Sequence, residues 1–71
     1  MNITLAQTQK LLTGNHSFSQ FGFSLLVTRL KGIYAKDQSA AKLQSCLDEI
    51  NAFLGKYSAI MTEDFAVISK F

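Results

Sequence analysis

From Ala40 onward, apolar side chains recur at every seventh position: Ala40, Leu47, Leu54, Met61 and Ile68. A second series, Leu43, Ile50, Tyr57, Asp64 and Phe71, fills the intermediate positions, and only Asp64 is polar. Two interleaved series of this kind have a mean period of about 3.5, which is the signature of a helix that buries one stripe. A half-buried strand would alternate with period two instead. Cys46 and Phe53 widen the stripe. The 71 residues contain no proline and only four glycines, so little in the chain interrupts a helix. The pattern predicts an all-α fold.

Start and stop signals divide the chain into three helices, or four. Thr4-Leu5-Ala6-Gln7 has the form of a capping box and predicts a first helix over 5–13, with Leu5, Leu11 and Leu12 apolar. Gly14 is placed to end it as a left-handed C′ residue. Ser17-Phe18-Ser19-Gln20 repeats the capping-box form and predicts a second helix over about 18–35, with Gly22 as a weakness. Asp37 is a candidate N-cap for a third helix over 38–61. A kink or short break is expected near 62, because Thr62-Glu63-Asp64-Phe65 places acids where a helix N-terminus favours them. Segment 63–70 then continues the third helix or stands as a fourth. The short link at 36–38 makes the second and third helices antiparallel neighbours. The expectation is a single domain over residues 1–71, a helical hairpin with an added N-terminal helix or a small bundle.

So short a chain has a marginal core and usually needs a disulfide, a metal or a second chain. Cys46 is the only cysteine and His16 the only histidine, so an internal disulfide and a Cys/His zinc site are both out of reach. Association is the support left, and 48% hydrophobic residues is at the upper end for a globular domain. The net charge is +2, and Lys10, Arg29, Lys31, Lys36, Lys42, Lys56 and Lys70 are dispersed rather than clustered as a nucleic-acid footprint would be. The opening residues lack a signal-peptide pattern, and no apolar run approaches a membrane span. The expected setting is cytoplasmic and reduced.

Chemistry-bearing motifs are absent: there is no phosphate loop, nucleophile elbow or zinc-protease helix. His16 reads as a turn or staple residue, and Cys46 as a small core hydrophobe. The pairs Asp48-Glu49 and Glu63-Asp64 lack calcium-loop spacing and read as solvated helix positions or as a match to a helix dipole. No catalytic, cofactor or metal residue is expected, and the chain is not read as an enzyme. On a helical wheel at 100° per residue, Phe23, Leu26, Val27, Leu30, Ile33 and Tyr34 share one broad arc. Phe18, Phe21 and Leu25 share a second, separate arc. These three either pack against the first helix or form a patch that binds a partner helix or a second copy.

Two families are echoed in part. The run ITLAQTQKLLTGNHSFSQF is similar to the opening of excisionase-type helix-turn-helix regulators, which implies DNA binding; yet residues 18–28 hold no Lys or Arg. The segment TRLKGIYAKDQSAAKLQSCLDEINAF is similar in spacing to the hairpin of type III secretion needle subunits, through Leu43, Gln44, Ser45, Leu47 and the terminal ISKF, but lacks their hinge prolines. The sequence therefore predicts a non-enzymatic interaction module that binds itself or a helical protein, as an adaptor, chaperone or secretion subunit does. The alternative is a small DNA-binding regulator, which a basic face built from Arg29, Lys31 and Lys36 would support.

Overall fold

A computed structural model describes all 71 residues. It contains α1 (Leu5–Thr13), α2 (Phe21–Lys36), α3 (Ala40–Lys56), a 3-10 turn (Ser58–Ile60) and α4 (Thr62–Ile68), with no strand. The fold is all-α, a small bundle with four α-helices.

The first helix starts as its sequence dictates. The Thr4 hydroxyl accepts from the Gln7 amide at 3.1 Å, and the Gln7 side chain accepts from the Thr4 amide at 2.9 Å. Leu11 and Leu12 are buried with Thr8, whose hydroxyl donates back to the Thr4 carbonyl at 2.8 Å. Leu5 is seven residues from Leu12 on the same face, but it lies in the first turn and stays exposed. Ile3 fills that end of the core instead, because Asn51 of α3 grips its backbone: Oδ1 accepts from the Ile3 amide at 2.8 Å and Nδ2 donates to the Ile3 carbonyl at 3.3 Å. Gly14 ends α1 with φ −92°, in extended rather than left-handed backbone. Its need for glycine is steric: an added Cβ would collide with the His16 ring and sit 2.9 Å from the Lys10 carbonyl.

The second helix begins at Phe21, three residues later than the capping-box form suggests. Phe18 turns inward and meets Phe23 edge-on, with ring centroids 5.0 Å apart and planes at 84°. The Gln20 amide, which the box would give to the Ser17 hydroxyl, is taken by Asp64 at 3.0 Å, so the local box does not form. The core face of α2 is Phe23, Val27, Leu30 and Tyr34, with Leu26 and Ile33 at its edge. The link to α3 is short, and α2 and α3 run antiparallel: Phe23 meets Phe53, and Arg29 pairs with Glu49. Ser39, not Asp37, caps α3, accepting from the Lys42 amide at 3.1 Å. Asp37 ends α2, and its carboxylate receives the Ser39 amide at 3.2 Å.

The expected long helix over 38–61 is overturned. Helix α3 stops at Lys56, and the 3-10 turn at Ser58–Ile60 breaks the chain before α4 starts at Thr62. The seven-residue phase survives the break: Leu47, Leu54, Met61 and Ile68 are all buried. The spacing therefore records burial on one core rather than one continuous helix. A straight continuation would carry Met61 and Ile68 past the end of α2 into water. The break keeps both in the 13-residue apolar core, with Phe65 and Phe71 against its edge.

Candidate functional site

The buried face of α2 uses only part of its apolar content. On its opposite side Phe21 is 75% exposed and Leu25 is 55% exposed. Thr28, Gly32 and Ala35 continue the same line and are also exposed. The intervals between these five residues are 4, 3, 4 and 3, so they form one stripe along the helix. None carries a charge. A surface helix ordinarily turns a charged or polar face to water, directly opposite its core face. Here phenylalanine, leucine and small residues hold much of that outer side, with the exposed Arg29 and Lys36 along one edge of it.

Of the three anchors expected from sequence, the structure brings two together and separates the third. Phe21 and Leu25 share the outer stripe. Phe18 lies before the helix, partly buried on Phe23, with the His16 ring 6.4 Å away. The wheel placed Phe18 with the other two because it assumed a helix from residue 18. Thr28, Gly32 and Ala35 were missed because no single one of them is apolar enough to draw notice. Their signal is the uncharged 4-3-4-3 spacing.

Beside the stripe, Leu26, Phe53, Ala52 and Tyr57 line a shallow groove of about 330 Å³ between α2 and α3, with Glu49 and Lys56 at its rim. Gly22 stands at its edge, where an added Cβ would reach 3.6 Å from the Phe53 ring. A smaller, polar recess of about 100 Å³ lies near Asn15, His16 and Lys31 on the other side of α2. The Lys31 ammonium there donates to the Gly14 carbonyl at 2.6 Å and so closes the α1 C-terminus.

Several of the charged groups have structural partners. Arg29 donates to Glu49 at 2.6 Å, and Asp48 accepts from Gln44 at 2.9 Å. Arg29, Lys31 and Lys36 do not form one free basic face, since the first two are engaged and Lys31 points away from the others. Asp64 is 2% exposed and accepts three bonds: from the Ser19 amide at 2.7 Å, the Ser19 hydroxyl at 3.0 Å and the Gln20 amide at 3.0 Å. It caps α2 from across the fold, where the helix dipole favours a carboxylate. No three His, Cys, Asp or Glu residues converge as a cation site would require. Burial, then the nearby Glu49, pushes the Cys46 thiol above its usual value of 9.0, so a nucleophilic thiolate is disfavoured there. No helix is long and apolar enough to cross a membrane.

The geometry thus describes a small helical bundle with one unpartnered helix face. No protein-family model matches the chain, and no curated protein or solved structure matches it.

Proposed function

We propose that the protein is a non-enzymatic interaction module that binds a helical partner, its own copy included, through the outer face of α2. The observation that carries this reading is the uncharged stripe headed by Phe21 and Leu25, lying opposite the core. A helix that is apolar on both sides gains free energy when both are covered. Two large anchors beside a groove, with the Arg29–Glu49 pair at the edge, have the arrangement of an apolar centre and a polar rim. A reduced compartment such as the cytoplasm suits a single buried thiol.

The test places a photo-reactive phenylalanine analogue at Phe21, and at Asp48 as an exposed polar control, in cells that express the chain naturally. Discrete adducts at position 21 and none at 48 are expected. Irradiation that leaves both positions unlinked would overturn the reading.

A further inference from the structure

Resting on that reading, we infer that the occupant of the α2 face is a second copy of the chain, packed antiparallel across a two-fold axis at Thr28. The stripe is graded in size: its N-terminal half carries Phe21 and Leu25, and its C-terminal half Gly32 and Ala35. Thr28 stands midway, seven residues from Phe21 and seven from Ala35. At ~1.5 Å per residue, Phe21 and Ala35 each lie ~10 Å from the midpoint in opposite directions. An antiparallel copy therefore lays Phe21 against the partner copy's small end, and Leu25 near the glycine. A parallel copy would stack large on large and leave the glycine ends facing a gap. A two-fold contact must be self-complementary, and this stripe is so in one direction only.

Charge agrees with the arrangement. Arg29 lies one residue past the midpoint, so the two guanidinium groups come near each other across the axis. Each arrives with its own counter-ion, Glu49 at 2.6 Å. Two internally neutralised pairs meet, so the arrangement brings no net charge to the axis. The area sets the strength. A stripe ~21 Å long, covered by a helix ~10 Å wide, gives about 200 Å² per copy from α2 alone. That is well under the ~800 Å² per partner of a standard interface, so the dimer belongs with weak, reversible contacts.

Cysteine cross-linking tests the arrangement in the intact chain, with Cys46 left in place because it is buried. Thr28→Cys brings two thiols together at the axis, whereas Ala35→Cys leaves them ~21 Å apart along it. In a glutathione redox buffer, Thr28→Cys is expected to form disulfide dimers at least tenfold faster than Ala35→Cys. Light scattering is expected to show wild-type association rising with concentration and lost in Gly32→Glu. That variant disturbs no contact within the monomer, since nothing lies within 4 Å of a Cβ built at Gly32. Ala35→Cys linking as fast as Thr28→Cys would overturn the antiparallel arrangement. A wild-type chain that stays monomeric at millimolar concentration would overturn self-association; adducts to another protein at position 21 would then leave the interaction reading standing, and their absence would remove both.

Discussion

Asp64 shows how one side chain answers a sequence anomaly. It is the only charged residue on the apolar seam, and the structure makes it the cap of a helix that begins 43 residues earlier, at Phe21. Removing it leaves two backbone amides and a hydroxyl without their acceptor, at a cost of about 1–3 kcal/mol per stranded group before relaxation and water entry. Asp64→Ala is expected to destabilise the fold by about 2–4 kcal/mol, and Asp64→Asn by roughly half as much, since one carbonyl oxygen remains to accept. Urea titration measures both; a loss under about 0.5 kcal/mol for Asp64→Ala would show that water replaces the carboxylate freely. Cys46 carries a pH dependence of definite sign. Its thiol is raised in the fold, so the unfolded chain loses its proton first as the pH rises. The stabilisation is fully present below the usual thiol value and is lost as the pH climbs above 9.0 toward the raised one. The stability difference between wild type and Cys46→Ala is accordingly expected to narrow in urea titrations above that pH. A difference that stays constant through the alkaline range would contradict it.

At the level of elements, the sequence was most legible where the determinant is local. The Thr4–Gln7 box starts α1 within one turn, and the core arc of α2 follows from period alone. It was least legible where a distant residue decides. Ser17 to Gln20 have the sequence of a sound local box, yet Asp64 outcompetes it from the other end of the chain. The stop at Lys56 has no proline or left-handed glycine to announce it, since every residue has negative φ. What ends α3 is the return of Met61 and Ile68 to the core, and a heptad count cannot tell that from a straight helix. The stripe on α2 was half legible: its large residues stand out, and its small ones acquire meaning only beside them. The glycines separate along the same line. Gly55 has open space around a built Cβ and lies in the last turn of α3, so Gly55→Ala is expected to stabilise by about 0.4–1 kcal/mol through the unfolded chain. Gly14→Ala is expected to destabilise, because its Cβ would meet the Lys10 carbonyl at 2.9 Å. Thermal melts of the two variants should move in opposite directions, and a shared direction would contradict the steric assignment.

The whole molecule is closed by its ends. A radius of gyration of 11.0 Å is what a packed domain of this size has, near the ~11 Å that the chain-length relation gives. Two long-range polar ties hold that packing: Asn51 to Ile3, 48 residues apart, and Asp64 to Ser19, 45 apart. Each joins a terminal segment to the α2–α3 hairpin, and each uses a side chain from the second half of the sequence. The hairpin alone cannot bury Phe23, because Phe18 covers it from one side and depends on Asp64 for its place. Folding should therefore be cooperative over the full length rather than hairpin first and tails later. A chain ending at Tyr57 would lack Met61, Asp64, Phe65 and Ile68, and so lose part of the core together with the α2 cap. It is expected to retain helical far-ultraviolet dichroism while losing dispersed methyl resonances and a sharp melting transition, as a collapsed chain without fixed packing does. Dispersed methyl signals and a sharp melt in that truncation would instead mean that residues 1–57 hold the core by themselves, with α4 an accessory to it.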